Sequence, residues 1–448
     1  MSKTQAPQWI HYKEQLHAIA QAALAAVNPF DAVQRFLQID HGKIRIGSEE
    51  YSLDEDAKIY VVGAGKAGVS MAQAVESILG KRITDGVIAV PELAGEPLST
   101  IRLIEGGHPL PTEGSIEAGM KMADLLKDTV EGDLVLVLIS GGGSALLELP
   151  LEGLRLSDLQ QVNELLLRSG APIQEINMVR KQLSRIKGGG LGSMAAPAKT
   201  AALILSDVIG DTLDAIASGP TVRSETSITD AWSVLQRYDL LPEVPGVVNE
   251  VLERSSDETD TKPIKQLDIN NLIIGSNRTA AEAAAEYAQK IGFQSLLLTS
   301  KLQGEARQIG SRLAKLVKAL KLPFPNERPL CIILGGETTV TVHGSGVGGR
   351  NQELALAAAI DLEGKQNVAM MTLATDGIDG PTPSAGAIVT GKTIVKAREL
   401  RLDPNDYLSN NDSHSFFRKL GDNLDLGLTG TNVNDLIFIC VYHTQEAM

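Results

Sequence analysis

Short apolar runs recur along the chain, and each ends where glycines or carboxylates begin. The runs are IYVV from Ile59, LVLVLI from Leu134, AALIL from Ala201, CIIL from Cys331 and MMTLA from Met370. An apolar run without polar alternation is typical of a parallel strand that is buried on both faces. Amphipathic helical segments separate the runs. We therefore predict an α/β fold whose strand-ending loops lie at the carboxyl edge of a sheet, where ligands bind.

The chain is long enough for two domains. It has 448 residues, of which 43% are hydrophobic, and this exceeds what one core usually encloses. The segment from Pro242 to Pro263 is polar, carries a run of charges and is bounded by prolines, features that are typical of a linker. We predict an N-terminal domain over residues 1–250 and a C-terminal domain over residues 264–448.

Charge and cysteine content narrow the function classes. The formal net charge is −14, which argues against nucleic acid as the main partner. The two cysteines, Cys331 and Cys440, lie in apolar runs and are expected to be buried thiols in a reducing compartment. No stretch of the sequence reaches 18 uninterrupted apolar residues, and the first residues lack a signal-peptide pattern. We predict a cytoplasmic protein without a membrane partner.

The turn GAGKAG after the first run places Gly63, Gly65 and Gly68 around Lys66. It matches the dinucleotide-binding fingerprint, and Glu92 lies where an acidic residue would contact a ribose. A tight turn without a ligand is the alternative. Lys66 adds a positive charge at a helix N-terminus, which favours phosphoryl transfer over dinucleotide binding. We interpret Gly63, Gly65 and Lys66 as part of a phosphate or substrate site.

A second glycine loop, SGGGS, follows the strand LVLVLI. Its residues are Ser140, Gly141, Gly142, Gly143 and Ser144. Consecutive glycines leave backbone N–H groups available to bind phosphate or carboxylate, although a flexible turn is the alternative. The loop has neither the GxxxxGK[ST] pattern of a P-loop nor the GxSxG pattern of a nucleophile elbow. We predict that it binds the substrate or a phosphate.

A basic segment, RKQLSRIKGGG, contains Arg180, Lys181, Arg185 and Lys187. Helical spacing would place Lys181 and Arg185 on one face, and charge runs usually form a solvated face. We expect at least two of the four side chains to be solvated. The glycines that end the segment are unusual for a solvated helix, so we include Arg180 and Lys187 among the substrate- or phosphate-binding candidates.

Carboxylates follow two of the predicted strands: Asp207 and Asp211 in SDVIGD, and Asp376 and Asp379 in TDGIDG. Carboxylates in a strand-exit loop suit Mg²⁺, which takes one or two of them together with phosphate oxygens, or general base chemistry. Turn-forming Asx hydrogen bonds are the alternative for each residue. Histidine and cysteine clusters with zinc spacing are absent from the sequence.

The segment GSGVGGRNQELALAAAI places Arg350 and Asn351 at the start of a helix. A cation near the positive end of a helix is mildly unfavourable. We therefore assign a functional role to Arg350 and substrate or phosphate contact to Asn351.

At these residues the chain resembles the glycerate 2-kinases, the class II glycerate kinases with a C-terminal MOFRL domain, which are often also labelled hydroxypyruvate reductases. Nine ordered blocks carry the resemblance over nearly the whole chain: VVGAGKAG, GHPLPTEGS, LISGGGSALLELP, INMVRKQLSRIKGGGLG, LSDVIGDTLDAIASGPT, GGETTVTVHGSGVGGRNQELALAAA, ATDGIDGPTPSAGAIV, LSNNDSHSFF and TGTNVNDL. Pro383 and the pair Gly427-Leu428 depart from the family pattern.

The resemblance implies an N-terminal Rossmann-like α/β/α domain, a C-terminal α/β domain, and an active site in the cleft between them. It implies ATP and a divalent metal, Mg²⁺, as cofactors for phosphorylation of the 2-hydroxyl of D-glycerate. The family's catalytic lysine and arginine map to Lys66 and Arg350, and its metal or base carboxylates to Asp207 and Asp211. We expect Lys66 and Arg350 to share the negative charge of one transferring phosphoryl group. We expect the protein to be a monomer or a homodimer.

Two other function classes stay open at this point. An NAD(P)H-dependent hydroxypyruvate reductase would use GAGKAG as its fingerprint and His108 as the proton donor. A non-catalytic ligand sensor would not need paired carboxylates beside a lysine.

Overall fold

The computed structural model of the protein describes residues 8–93, 97–259, 268–320 and 328–442. The helices are α1 (Gln8–Ala26), α2 (Pro29–Phe36), α3 (Gly68–Leu79), α4 (Glu113–Leu126), α5 (Gly143–Leu146), α6 (Leu156–Arg168), α7 (Ile173–Gln182), α8 (Gly190–Ala195), α9 (Ile228–Arg237), α10 (Gly246–Thr259), α11 (Asn277–Lys290), α12 (Ala306–Ala319), α13 (Arg350–Leu362), α14 (Thr393–Glu399), α15 (Pro404–Ser409) and α16 (Ser413–Leu420). Among these residues, no helix combines the length and apolarity that a membrane span requires.

The strands are β1 (Leu37–Asp40), β2 (Lys43–Ile46), β3 (Glu49–Tyr51), β4 (Ile59–Ala64), β5 (Asp85–Val90), β6 (Ile101–Glu105), β7 (Leu134–Ile139), β8 (Lys199–Leu205), β9 (Ile269–Gly275), β10 (Gln294–Glu305), β11 (Leu330–Thr339), β12 (Val368–Ala374), β13 (Gly386–Thr390), β14 (Asn423–Leu424) and β15 (Asp435–Val441). They form two six-stranded sheets and a small antiparallel sheet of β1, β2 and β3.

The chain divides into two compact units. The N-terminal unit is Pro29–Ile274, and the C-terminal unit combines Gly275–Met448 with Met1–Asn28. This division differs from the bounds expected from the sequence, because the first helix belongs to the C-terminal unit. Helix α10 also occupies much of the predicted linker, whose last residues, 260–263, lie outside the described residues.

Helix α1 joins the C-terminal unit through side-chain packing. It contacts α11, β12 and β15. The ring of Tyr12 stacks on that of Tyr442 with a centroid separation of 3.6 Å, and Lys13 Nζ lies 2.7 Å from Asp422 Oδ1. Contacts between residues about 410 to 430 positions apart are not visible in a local sequence pattern.

The large sheet of the N-terminal unit has the order β6-β5-β4-β7-β8-β9. Its pairs from β6 to β8 are parallel, as the apolar runs predicted. The chain runs outward from β4 through β5 to β6 and then returns to β7, on the other side of β4. The order in which the chain adds strands therefore reverses between the neighbouring strands β4 and β7. In doubly wound sheets, ligands bind at the carboxyl ends of the strands on either side of such a reversal.

The sheet of the C-terminal unit has the order β10-β11-β15-β12-β13-β14 and is mixed. Among its described strands, β10 and β11 form the one parallel pair, and β12 pairs antiparallel with both β13 and β15. The prediction of a parallel strand at Met370 is therefore wrong. An uninterrupted apolar run reports that both faces are buried, and this strand is wholly buried, but burial does not specify strand direction.

The two cysteines are buried and free, as expected. Cys331 and Cys440 are directly opposite each other in the β11–β15 pairing.

Candidate active site

The loops that follow β4 and β7 are joined by direct contacts. The N–H of Lys66 donates to the carbonyl of Gly141 over 2.9 Å. The N–H of Ala67 donates over 3.0 Å to the hydroxyl of Ser140, which is buried. The GAGKAG and SGGGS loops predicted from the sequence therefore meet at the carboxyl edge of the sheet, where the strand order reverses.

The two loops pack too closely for side chains at two glycines. A Cβ on Gly63 would lie 1.9 Å from the carbonyl oxygen of Leu138, and a Cβ on Gly65 would lie 2.0 Å from the hydroxyl oxygen of Ser140. Both glycines have positive φ values near 150°. Packing therefore explains Gly63 and Gly65 without a bound ligand.

The GAGKAG turn does not offer a pyrophosphate site. Its N–H groups at Gly65, Lys66, Ala67 and Gly68 all donate to acceptors within the protein. A dinucleotide fold instead keeps the N–H groups at the helix start for the phosphates. The hydrogen bonds therefore disfavour the dinucleotide interpretation of this motif.

The SGGGS loop has N–H groups available for a ligand. Throughout the described chain, the N–H groups of Gly141 and Gly142 have no protein acceptor. Gly142 adopts the left-handed conformation with φ of 81°. Ser144 lies in the next turn, with its hydroxyl 2.8 Å from that of Ser218. Adjacent free N–H groups form a concave site for an anion.

The predicted carboxylate Asp207 lies on one side of this loop. A Cβ on Gly141 would be 2.3 Å from Asp207 Oδ2, so the carboxylate is in contact with the loop. Asp211 lies farther along the same turn, with φ of 58°. Among the described residues, no group of three or more His, Cys, Asp or Glu side chains is arranged to hold a metal ion. One carboxylate beside an anion site fits Mg²⁺ that takes its other oxygens from phosphate and water.

His108 lies on another side of the loop. A Cβ on Gly142 would be 2.9 Å from His108 Cδ2 and 3.4 Å from Lys66 Cγ. Lys66 is exposed and makes no ion pair with any described residue. Burial, and secondly the charge of Lys66, lower the pKa of His108 below its usual value. The ring is therefore neutral at pH 7, which makes it a poor proton donor for hydride chemistry.

The basic segment is more buried than expected. Arg185 is exposed and lies beyond α7, but Lys181 and Lys187 are buried and Arg180 is half-buried. The expectation of at least two solvated side chains is wrong because the two lysines are buried and their charges are paired, one with the half-exposed Asp214 and one with the buried Glu148. Lys181 pairs with Asp214 and Lys187 with Glu148, each over 2.5 Å.

Arg180 has no such carboxylate partner. Its Nε donates over 2.6 Å to Asn163 Oδ1, and no ion pair to it occurs within the part of the chain that the structure describes. Burial lowers the pKa of the guanidinium, and the Glu148 carboxylate opposes that shift. Arginine nevertheless stays charged at neutral pH. A half-buried guanidinium without a counter-ion favours an anionic ligand.

Some of these groups line one cavity of about 190 Å³ in the N-terminal unit. Its lining includes His108, Gly142, Ser144, Asn163, Arg180 and Lys187. The cavity therefore combines a guanidinium that makes no ion pair with a described residue, a loop glycine with a free N–H group and a neutral imidazole. This set suits a small hydroxy acid.

Sequence reasoning missed Glu148, whose carboxylate accepts from Lys187 Nζ and from Ser184 Oγ, each over 2.5 Å. A single glutamate inside the apolar run ALLELPL was the available signal, because an isolated carboxylate there requires a buried partner.

In the C-terminal unit, Arg350 begins α13 and lies beside a larger cavity of about 910 Å³. Its Nε and Nη2 donate to the Asp435 carboxylate over 2.6 and 3.1 Å, and its Nη1 donates to Glu337 over 2.6 Å. Although burial opposes the shift, these carboxylates raise the pKa of Arg350. The charge of Arg350 is thus neutralised within the protein by two carboxylates, one of which lies 85 positions away in the sequence.

Asp379 and Asn351 form a buried structural contact. The Asp379 carboxylate accepts from the N–H of Asn351 and of Gln352 over 3.0 and 2.8 Å, and so caps the start of α13. Asp376 accepts from the N–H of Ile378 over 3.0 Å, which is the Asx-turn alternative. These bonds favour a structural role for Asn351 and for both carboxylates.

Comparison with known proteins identifies the family. The model described as "Domain of unknown function (DUF4147)" matches residues 15–253, and the "MOFRL family" model matches residues 330–435. A glycerate 2-kinase of Pyrococcus horikoshii is 40% identical over 423 residues, covering 94% of this chain and 95% of that protein. This chain belongs to the glycerate kinase family.

Two further comparisons support the same family assignment. A D-glycerate 2-kinase of Thermotoga maritima is 42% identical over 382 residues, covering 85% of this chain and 90% of that protein. The crystal structure of a glycerate kinase from the same organism matches with a TM-score of 0.86 and 38% identity, covering 96% of this chain and all of that one. The family assignment and the two-part α/β architecture expected from the sequence are confirmed.

Proposed function

We propose that the protein transfers the γ-phosphoryl group of ATP to the 2-hydroxyl of D-glycerate, forming 2-phosphoglycerate and ADP. The observation that carries the proposal is the small cavity of the N-terminal unit, which Arg180 and Gly142 line. Among the described residues, Arg180 makes no ion pair, and the N–H groups of Gly142 and of its neighbour Gly141 have no protein acceptor. Positioned donors of this kind bind an anion and stabilise charge that develops during phosphoryl transfer.

In this proposal, Arg180 binds the glycerate carboxylate, because a guanidinium matches the planar carboxylate geometry. Ser144 and the free N–H groups orient the oxygens near the reacting centre. Lys66, which is exposed beside Gly142 and makes no ion pair with a described residue, contributes charge to the transferring phosphoryl group. Asp207 is the residue that would hold Mg²⁺, which would neutralise phosphate charge when bound.

The larger cavity beside Arg350 is our candidate for the nucleotide. Its volume of about 910 Å³ is in the range of pockets that take ligands of this size, and the exposed apolar side chains of Val342 and Ile378 line it. For Arg350 to contact a phosphate, its Nη1 bond to the half-exposed Glu337 must be exchanged, while Asp435 keeps the guanidinium in place.

The proposed function is tested with purified protein, D-glycerate, ATP and Mg²⁺ in a coupled assay of ADP release. We expect glycerate-dependent ADP release and no oxidation of NADH or NADPH by hydroxypyruvate. Hydride transfer without ATP consumption would instead support the reductase alternative, which the internally bonded GAGKAG turn disfavours.

Replacement of Arg180 by alanine should raise KM for glycerate about 10- to 100-fold, since a hydrogen bond to a charged group contributes roughly 1.5–3 kcal/mol. The KM for ATP should stay unchanged. Arg185→Ala is the matched control, because Arg185 is exposed in the same segment. The measurement is steady-state kinetics with each substrate varied in turn. An equal KM for glycerate in Arg180→Ala and Arg185→Ala would contradict the assignment.

Replacement of Asp207 by asparagine should lower kcat by about 10²-fold and raise the Mg²⁺ concentration needed for half-maximal rate. Asparagine keeps the size of the side chain, so the fold should survive. Asp211→Asn, measured in parallel, identifies which carboxylate matters. A near-native kcat at saturating Mg²⁺ for Asp207→Asn would assign this loop a structural role only.

We also propose a cytoplasmic location. The support is the pair of free cysteines on adjacent strands, Cys331 and Cys440, which face each other without a disulfide and fit a reducing compartment.

A further inference from the structure

His108 combines a position beside the SGGGS loop with unused ring nitrogens. Its ring lines the small cavity of the N-terminal unit, and a Cβ on Gly142 would lie 3.3 Å from its Nε2. Across the described residues, neither ring nitrogen has a hydrogen-bond partner in the protein. The imidazole is therefore available to a ligand that sits on the SGGGS loop.

Backbone contacts fix the loop that carries His108. The N–H of Gly106 donates to the carbonyl of Val90 over 2.8 Å. The N–H of Gly107 donates over 3.0 Å to the hydroxyl of Ser115, a buried residue at the start of α4. A Cβ on Gly106 would lie 2.4 Å from the carbonyl oxygen of Leu146, so the loop packs against α5. His108 itself is exposed, and its ring lies against Gly142.

Burial and the neighbouring charge of Lys66 keep the ring neutral. Lys66 lies near Gly142, and Arg180 and the paired Lys187 and Glu148 line the same cavity as the ring. Burial is the larger cause of the lowered pKa of His108, and the Lys66 charge adds to it. A neutral imidazole can accept a proton at pH 7.

We propose that His108 is the general base of the reaction. The proposal rests on the proposed kinase function, in which glycerate occupies the same cavity. The imidazole accepts the proton of the glycerate 2-hydroxyl as its oxygen forms a bond to the γ-phosphorus of ATP. The bond between that phosphorus and the β–γ bridging oxygen breaks, and ADP leaves with the electron pair. His108 then returns its proton to water.

This assignment separates the roles of two candidates on the same loop. Asp207 contacts Gly141, whereas His108 contacts Gly142. Asp207 is then the residue that would hold Mg²⁺, which would neutralise phosphate charge when bound, and the proton goes to the imidazole.

The test is the pH profile of kcat/KM for wild type and His108→Asn. Because only the neutral imidazole accepts a proton, the wild-type rate should fall as the pH drops through the lowered pKa of His108, below 6.5. His108→Asn should lower kcat by about 10²–10⁴-fold, leave KM for glycerate and ATP near native, and lose this acid limb. His41→Asn is the control, since His41 is exposed on the chain reversal between β1 and β2.

A second measurement follows the ring itself. The ¹H–¹⁵N NMR titration of His108 should show a pKa below 6.5 in the wild type and a higher one in Lys66→Ala, because a nearby positive charge is removed. This readout does not depend on activity, and circular dichroism of both His108→Asn and His108→Gln checks the fold.

The outcomes are distinct. Glycerate-dependent ADP release by the wild type upholds the kinase function whatever the variants do, and its absence refutes that function. If the wild type is active but both His108 variants keep near-native kcat, or keep the acid limb, then His108 is not the base.

Discussion

Replacement of Lys66 by alanine is expected to lower kcat/KM by about 10²–10³-fold, the usual contribution of one positioned group that stabilises transition-state charge. Lys66 is exposed and makes no ion pair within the described part of the chain, and its Cγ lies near Gly142 in the loop with free N–H groups. Because the Lys66 side chain is exposed, its removal should leave the fold unaffected. Lys81→Ala is the matched control, since Lys81 is exposed at the far end of α3.

The pair Lys66→Ala and Arg350→Ala tests whether both cations serve one transition state. If they do, the double variant should lose less activity than the product of the single losses. Arg350→Lys should restore little of the activity that Arg350→Ala loses. Arg350 donates to Asp435 with two of its nitrogens, and lysine lacks this planar pair of donors. A near-native kcat/KM for Lys66→Ala would show that Lys66 does not stabilise the transition state.

The second large effect concerns stability. Replacement of Glu148 by alanine should lower the free energy of unfolding by about 3–5 kcal/mol, because it leaves the ammonium group of Lys187 buried without its partner. The exposed fractions of these two side chains are 8% and 1%, and their charged atoms are 2.5 Å apart. Ser184 would also lose the acceptor of its hydroxyl.

Denaturant unfolding of three variants checks this expectation. Glu152→Ala, four residues away at an exposed position, should change the free energy of unfolding little. The double variant Glu148→Ala, Lys187→Met removes both charges and should recover much of the loss. If Glu148→Ala were as stable as Glu152→Ala, the pair would not be buried as described.

The edge of the N-terminal sheet was predictable because its evidence is local. Parallel strands with buried faces give continuous apolar runs, and their carboxyl ends meet at one edge. The runs ending at Lys66, Ser140 and Asp207 therefore had to bring these residues together, and the structure places Asp207 and Lys66 against the same loop.

Other features depend on contacts between distant positions. Arg350 is neutralised by Asp435, 85 positions later, and α1 joins a unit formed mainly by the last 174 residues of the chain. The antiparallel direction of β12 also depends on its neighbours rather than on its own composition. Glu148 was detectable, since a lone carboxylate in an apolar run implies a buried cation, but its partner was not.

The most direct test of the central claim is identification of the product by ³¹P and ¹³C NMR after incubation with D-glycerate labelled with ¹³C, ATP and Mg²⁺. The proposed function predicts a phosphorus–carbon coupling at C2, equimolar ADP, and no product from L-glycerate under the same conditions. Phosphorylation at C3, or unchanged glycerate with intact ATP, would contradict it.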